Sequence, residues 1–238
     1  MGWDPDQYER WFNSPEGQFA LDREIQLLQA VLAGWPRRGH KLLDIGCGTG
    51  LFLEILYQMG FDITGIDSSP EMILAARQRI ENRADLHLGD AELSPYSDNE
   101  FDYALLWSVL EFTENPEAML REAARVAEKG ILIGFLNKNS LYYSMNVRGT
   151  NSRLDKAQWF TWCEMQDLVK DATDFRPTLA RSVLPGPMKT WKQTGVSRHI
   201  NCCLCPPFIG AFTAVRVDFV NMKPMNPLFA WKSQPEMT

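Results

Sequence analysis

Short apolar runs alternate along the chain with amphipathic stretches of helical spacing. The apolar runs predict strands at residues 41–45, 61–66, 85–88, 101–107 and 130–135. The stretches between them predict helices at 51–59, 70–82 and 116–127, and Pro70 and Pro116 suit the first turn of two of these. This alternation predicts an α/β fold with a doubly wound, Rossmann-like and mostly parallel sheet that is covered on both faces.

The segments on either side of this core have different patterns. Tyr8, Trp11 and Phe12 recur at helical spacing, and a second amphipathic stretch covers 19–33, so two N-terminal helices are expected. Beyond the core, a polar and aromatic segment at 137–161 is interpreted as a cap, followed by a helix at 163–172. Two further apolar runs, at 178–184 and 208–220, predict an antiparallel hairpin at the edge of a seven-stranded sheet.

We therefore expect a single domain over residues 1–238. Its parts are predicted as N-terminal helices (1–36), a cofactor-binding core (40–136), the cap insertion (137–161), the C-terminal half of the sheet (162–220) and a tail (221–238). A loop rich in Pro, Gly and Cys, at 185–207, is too long to be a simple turn.

The composition is that of a globular protein. Hydrophobic residues make up 45% of the 238 residues, yet no apolar run approaches the roughly 20 residues that cross a bilayer. Five cysteines do not resemble a disulfide framework, and the N-terminus lacks the features of a secretory signal. These observations predict a cytoplasmic protein without a membrane span.

The net charge of −6 argues against nucleic acid as a partner, because such binding depends on cations that contact phosphates. The last quarter of the chain is nevertheless basic, with Arg181, Lys189, Lys192 and Arg198 around Trp191. This group is either a solvated face or a sign of an anionic or aromatic acceptor.

The most informative motif lies between the first strand and the first core helix. Residues 46–50 read Gly-Cys-Gly-Thr-Gly, and glycines at such a corner allow a tight turn and close approach to a ligand. The third glycine of a dinucleotide loop is missing, and no lysine is present to form a phosphate-binding P-loop. The loop therefore favours a ligand without a phosphate group.

Together with three later motifs, this loop resembles the class I S-adenosylmethionine-dependent methyltransferases, in particular the methyltransferase type 11 group. The resemblance covers about residues 41–135 and implies S-adenosylmethionine as the cofactor and a small molecule as the methyl acceptor. It places four residues of the loop on the methionine part of the cofactor, namely Asp44, Gly46, Cys47 and Gly48.

The resemblance also assigns residues to the nucleoside. Asp67, at the end of the second strand, would hold the ribose hydroxyls, with Ser68 beside it. Met72 would lie near the adenine, which the Asp90 carboxylate and the Ala91 N–H would recognise. Trp107, which ends the fourth strand, completes the predicted cofactor-binding set.

Only two residues are candidates for a catalytic base. The family often has Leu-Glu-His after the fourth strand, but this sequence has Leu110-Glu111-Phe112, so the candidates are Glu111 and His199. No metal site is predicted, because Cys202, Cys203 and Cys205 lack a second pair at zinc spacing and are interpreted as structural or incidental. Methyl transfer does not require a metal.

Other interpretations remain open at this point. An NAD(P)-dependent oxidoreductase shares the glycine turn and the acidic ribose ligand, and a protein that binds the cofactor without catalysis is a further alternative. Asp44 can also serve as a turn or helix-cap residue, and Asp90 as an ordinary Asx turn. Tyr8, Trp11 and Phe12 either pack within their own helix or cover the cofactor. A nucleic-acid methyltransferase is disfavoured, since residues 107–110 lack its Pro-Pro-aromatic motif.

Overall fold

The structure is a computed structural model that describes residues 4–152, 154–192 and 200–219. Its helices are α1 (Pro5–Phe12), α2 (Pro15–Leu32), α3 (Leu51–Gln58), α4 (Pro70–Ile80), α5 (Pro116–Val126) and α6 (Trp162–Thr173). Its strands are β1 (Lys41–Ile45), β2 (Asp62–Asp67), β3 (Asp85–Leu88), β4 (Phe101–Trp107), β5 (Ala127–Leu136), β6 (Leu179–Val183) and β7 (Phe212–Asp218). Short 3-10 turns occupy Leu110–Phe112 and Met188–Thr190, and a π-helix occupies Tyr143–Val147.

The strands described here form one seven-stranded sheet in the order β3-β2-β1-β4-β5-β7-β6. The first five of these strands are parallel, whereas β7 runs antiparallel to both β5 and β6. The predicted Rossmann-like sheet with an antiparallel edge hairpin is therefore confirmed. The strand order reverses between β1 and β4, which is where doubly wound sheets bind their ligands.

Apolar side chains are buried on both faces of the sheet because successive residues of a strand point in opposite directions. In β1, Leu42 joins a core formed with α2 and α3, whereas Leu43 joins a second core formed with α5 and α6. This explains why β1 is an almost unbroken apolar run in the sequence.

Side-chain caps begin helices α4 and α5, which follow strands β2 and β4. Ser69 Oγ accepts from the Met72 N–H at 3.2 Å, and Asn115 Oδ1 accepts from the Ala118 N–H at 3.0 Å. Pro70 and Pro116 take the first helical positions, as predicted.

Several predicted boundaries were wrong by a few residues. The last strand begins at Phe212 instead of residue 208, since the Ile209 N–H closes a turn on the Pro206 carbonyl at 3.2 Å. Helix α4 ends at Ile80 instead of residue 82, because Glu81 has a φ of 54° and leaves the helical conformation. Strand β5 begins at Ala127, three residues earlier than predicted.

No helix within the described ranges is both long enough and apolar enough to cross a bilayer.

Candidate functional site

A cavity of about 560 Å³ lies at the carboxyl ends of the parallel strands. Its lining comes from α1, from α2, from the segments that follow β1, β2, β3 and β4, and from the region beyond β5. Its volume falls within the range of roughly 300–1,000 Å³ that is typical of small-molecule sites. The position at the strand reversal and the size together indicate a ligand site.

The glycine loop forms one wall of this cavity. The backbone N–H groups of Gly46 and Cys47 both donate to the Ile66 carbonyl, at 2.8 and 3.1 Å, which fixes the loop against the end of β2. Gly46 has a φ of 74°, and a Cβ there would lie 2.3 Å from Val109 Cγ2. Gly48 has a φ of 54°, and a Cβ there would meet no atom within 4 Å, since Gly48 borders the cavity itself.

Asp67 holds its carboxylate at the same wall through two backbone contacts. Its Oδ2 accepts from the Gly48 N–H and its Oδ1 from the Ser69 N–H, each at 2.9 Å. An ionised carboxylate has about four acceptor sites, so these bonds leave capacity for two ligand hydroxyls. The arrangement suits the predicted contact with a ribose.

Asp44 lies in β1 and is only 2% exposed. Its Oδ1 is buried without a hydrogen-bond partner, although the residue lines the cavity. Burial, with a smaller effect from the charge of Asp67, raises the pKa of Asp44 to about 8. Gly50 occupies the N-cap of α3, so Asp44 does not serve as that cap. An unpaired buried acceptor of this kind fits a cationic donor such as the ammonium group of the cofactor's methionine part.

The remaining predicted cofactor residues border the same cavity. Met72 and Ala91 are buried, whereas Ser68 and Asp90 are exposed at the rim. Asp90 Oδ1 accepts from the Glu92 N–H at 2.9 Å, as expected of the Asx-turn alternative. All ten predicted residues line this cavity: Asp44, Gly46, Cys47, Gly48, Asp67, Ser68, Met72, Asp90, Ala91 and Trp107. The structure brings them together, and their roles toward a ligand stay predictions.

The two candidate bases are placed differently. The Glu111 side chain is 2% exposed, is absent from the cavity lining, and accepts from the Leu136 N–H through Oε1 at 2.6 Å. Burial raises its pKa to about 7. His199 lies outside the described residues. The structure therefore does not bring Glu111 to the wall of the cavity.

Helix α1 covers one side of the site. Tyr8, Trp11 and Phe12 all line the cavity, which favours the covering role over packing within the helix alone. Glu9 attaches the helix to the core, because its Oε1 accepts from Thr49 Oγ1 at 2.7 Å and from Arg79 Nη2 at 2.6 Å.

The segment predicted as a cap also contributes to the cavity. Tyr142, Ser152 and Leu154 line it, as does Trp191 from the long loop between β6 and β7. The Tyr142 and Trp191 rings are 4.9 Å apart, and both residues are buried. This region forms an aromatic wall of the cavity.

The basic residues of the last quarter do not contribute to this wall. Arg181, Lys189 and Lys192 are exposed and are not among the lining residues, and Arg198 lies outside the described residues. The described chain thus gives an anionic acceptor no support, whereas Trp191 supports an aromatic one. Cys202, Cys203 and Cys205 are not among the lining residues. The described residues contain no group of three His, Cys, Asp or Glu side chains that could hold a metal ion.

Sequence reasoning missed Glu24, a buried carboxylate in the cavity. It lies on α2 between Ala20, Leu27 and Leu28, and all of these are buried. A charged residue therefore occupies an apolar position of an amphipathic helix, which is a signal that the sequence does contain. Its Oε2 accepts from Trp107 Nε1 at 3.3 Å, and burial raises its pKa to about 8.

Comparisons with known proteins agree with this architecture. Residues 43–134 match the family model described as a methyltransferase domain. A crystal structure of a SAM-dependent methyltransferase from Thermotoga maritima, described as a possible histamine N-methyltransferase, has a TM-score of 0.73 and 27% identity. That comparison covers 90% of this chain and 95% of the other.

Curated relatives match this chain over shorter lengths. An uncharacterised protein of Methanocaldococcus jannaschii is 35% identical over 59% of this chain and 62% of its own length. The ubiquinone biosynthesis O-methyltransferase of Azorhizobium caulinodans is 33% identical over 48% of this chain and 47% of its own. The chain thus spans less than two thirds of the length of these relatives.

The sheet topology and the cavity at the strand reversal are those of a Rossmann-like domain. Residues 43–134 match the methyltransferase-domain family, and the chain as a whole has the fold of a SAM-dependent methyltransferase of known structure.

Proposed function

We propose that this protein transfers the methyl group of S-adenosylmethionine to a small-molecule acceptor. The observation that carries the proposal is one continuous cavity, which joins the ten predicted cofactor residues to an aromatic wall that the cofactor assignment leaves unused. The relatives are named for both oxygen and nitrogen methylation, so their names support the reaction class and not the atom that is methylated.

The glycine-loop side of the cavity is proposed to hold the cofactor. The unpaired Oδ1 of Asp44 would accept from the ammonium group of its methionine part, and Asp67 would accept from its ribose hydroxyls. Asp90 and the Ala91 N–H would contact the adenine beside Met72. These assignments use each group for the kind of hydrogen bond that its chemistry favours.

The bound cofactor supplies an electrophilic methyl group, so that an acceptor lone pair forms the new bond while the carbon–sulfur bond breaks and its electron pair stays on sulfur. The chain's own task is to align the acceptor and to exclude water. Phe212, Tyr142 and Trp191 would form the walls that position the acceptor, beside Trp107 of the predicted cofactor set. Helix α1, through Tyr8, would close the site.

The chemistry of the lining supports a small acceptor over a nucleic acid. The described lining residues include five carboxylates and no Lys, Arg or His, namely Glu24, Asp44, Asp67, Asp90 and Glu92. Such a surface offers the phosphates of a nucleic acid no cation to contact. The odd number of cysteines, five in the whole sequence, supports the expectation of a reducing compartment such as the cytoplasm.

Calorimetry with S-adenosylmethionine, S-adenosylhomocysteine and NAD tests the cofactor assignment directly. We expect binding of the first two ligands and none of NAD. Binding of NAD alone would favour an oxidoreductase instead. The catalytic part is tested by formation of S-adenosylhomocysteine with a panel of small acceptors. Tight cofactor binding with no turnover, together with a stable partner complex from pull-downs, would favour a protein that binds the cofactor without catalysis.

A further inference from the structure

Glu24 is a buried carboxylate in the cavity to which the proposed methyl transfer assigns no role. It is 9% exposed and lines the cavity from α2. Within the described part of the chain, its hydrogen-bond donor is Trp107 Nε1, at 3.3 Å. A single bond of this length leaves most of the acceptor capacity of the carboxylate unused.

The surroundings of Glu24 do not compensate its charge. The groups that face it are Tyr8 from α1, Trp107 from β4, Glu111 from the turn after β4, and Tyr142 from the cap, and none of these is a cation. Burial, together with the charge of Glu111, raises its pKa to about 8 in spite of the bond from Trp107. A buried carboxylate without a cation is costly, which points to a partner that arrives with a ligand.

The groups around Glu24 are mostly aromatic. The Trp107 ring packs against Phe52 and Phe212, with centroids 5.3 and 5.0 Å apart. Tyr142 lies close enough for the charge of Glu24 to raise its pKa, and it packs on Trp191. Aromatic rings beside one carboxylate form the environment that binds an ammonium group, because the carboxylate and any ring face that the ligand contacts both attract the cation.

We propose that the methyl acceptor carries an ammonium group, which pairs with Glu24 between the rings of Trp107 and Tyr142. This inference rests on the proposed function and names the acceptor's class, an organic cation with an apolar body. The other carboxylates of the glycine-loop side, Asp44 and Asp67, remain available for the cofactor.

The substitution Glu24→Gln distinguishes an ammonium-binding role of Glu24 from a purely structural one. In Glu24→Gln, the side-chain carbonyl can still accept from Trp107 Nε1, so a residue that only positions Trp107 would be replaced without loss. The charge is removed, and a site for an ammonium group would be lost. Asp22→Asn, an exposed position on the same helix, is the matched control.

The experiment is calorimetry in the presence of saturating S-adenosylhomocysteine. The probes are a panel of aromatic, imidazole and aliphatic amines, each paired with an alcohol and a carboxylate of the same shape, for example 2-phenylethylamine, 2-phenylethanol and 3-phenylpropionate. We expect at least one amine to bind at least about tenfold more tightly than its two counterparts. We expect Glu24→Gln to remove that preference and Asp22→Asn to keep it.

Proton release gives a second readout that does not depend on turnover. Glu24 is mostly protonated at pH 7 in the free protein, so pairing with a cation ionises it and releases close to one proton. The binding enthalpy should therefore differ between phosphate and Tris buffers for the original protein. That difference should disappear in Glu24→Gln.

Failure of the proposed function and failure of the ammonium assignment give different results in this experiment. If S-adenosylhomocysteine itself does not bind, the proposed function fails. If it binds but no amine is preferred, or if Glu24→Gln binds the preferred amine equally well, the ammonium assignment is overturned and the proposed function stands. If Glu24→Gln weakens S-adenosylmethionine binding alone, the carboxylate serves the donor's sulfonium, and the assignment is again overturned. Unchanged affinity for S-adenosylhomocysteine shows that the variant is folded.

Discussion

The Asp67 carboxylate accepts from the Gly48 N–H at 2.9 Å and thereby joins the end of β2 to the glycine loop that follows β1. The bond connects residues 19 positions apart, at adjacent parallel strands. It places an acidic side chain and a backbone without a Cβ on the same wall of the cavity. The acidic side chain of Asp67 and the missing Cβ of Gly48 can each be tested by a separate substitution.

Removing the Asp67 carboxylate should weaken cofactor binding. We expect Asp67→Ala to reduce the affinity for S-adenosylhomocysteine at least about tenfold, since hydrogen bonds to a charged group contribute roughly 1.5–3 kcal/mol. Calorimetry measures the change. Asp62→Ala, at the exposed start of the same strand, should bind normally. Unchanged affinity in Asp67→Ala would refute the ribose assignment.

A methyl group on Gly48 should block the site with little further effect on the fold. Gly48 has a φ of 54° and faces the cavity, whereas Gly39 has a φ of 72° and lies outside the lining. Alanine at either position should lower the free energy of unfolding by about 1–2 kcal/mol, because both glycines have a left-handed backbone conformation.

Only Gly48→Ala should lose affinity for S-adenosylhomocysteine, since only there does the new methyl group enter the cavity. Thermal unfolding and calorimetry of the two variants separate the effects. Equal affinity in both variants would show that Gly48 does not approach the cofactor.

The sequence was sufficient to predict the sheet and the ten residues that meet on the glycine-loop side of the cavity. Parallel strands that are buried on both faces give apolar runs such as that around Leu43, and the ends of neighbouring parallel strands meet at one edge. Motifs placed after β1, β2 and β3 therefore had to converge. The convergence of these motifs follows from local sequence patterns and from the rule that neighbouring parallel strands end at the same edge of the sheet.

The acceptor side depends on contacts between distant segments, and the sequence did not reveal them. Glu24 meets Trp107 across 83 positions, and the Glu111 carboxylate meets the Leu136 backbone across 25. No local pattern encodes such pairs. The carboxylate at an apolar position of α2 was visible, but only the fold shows that this position borders a cavity.

The bond from Leu136 to Glu111 predicts a structural role for that carboxylate. Glu111→Gln should retain turnover within about threefold, because the amide oxygen still accepts from the Leu136 N–H. Glu111→Ala leaves that N–H unpaired, and should lower stability by about 1–3 kcal/mol. Steady-state kinetics and thermal unfolding measure the two effects. A loss of about 100-fold or more in kcat for Glu111→Gln, with normal affinity for S-adenosylhomocysteine, would instead identify a general base.

Helix α1 should limit the release of the cofactor. It contains no fully buried residue, and Glu9 attaches it to Thr49 and Arg79. A partly exposed ion pair contributes about 0.2–1 kcal/mol, so Glu9→Ala should speed dissociation of S-adenosylhomocysteine by up to about fivefold. Stopped-flow tryptophan fluorescence measures the rate. Asp6→Asn, exposed on the same helix, should leave it unchanged, and an unchanged rate in Glu9→Ala would mean that α1 does not retain the ligand.

The raised pKa of Glu24 predicts that its charge destabilises the free protein at alkaline pH. The folded protein holds the proton up to about pH 8, whereas the unfolded chain releases it near 4.5. The unfolded state therefore binds fewer protons within this window, and the free energy of unfolding falls as the pH rises through it. Glu24→Gln removes this loss of stability, so the melting temperature of the variant should exceed that of the original protein at pH 8, by roughly 2–4 °C for each kcal/mol.

The difference in melting temperature should shrink toward pH 5, where the carboxyl of Glu24 in the original protein is neutral when folded. Asp44 and Glu111 also have raised pKa values, so the informative quantity is the difference between the two proteins at each pH, which includes the effect of the Glu111 charge on Glu24. A difference that is the same at pH 5 and pH 8 would show that Glu24 is not held as a neutral acid in the cavity.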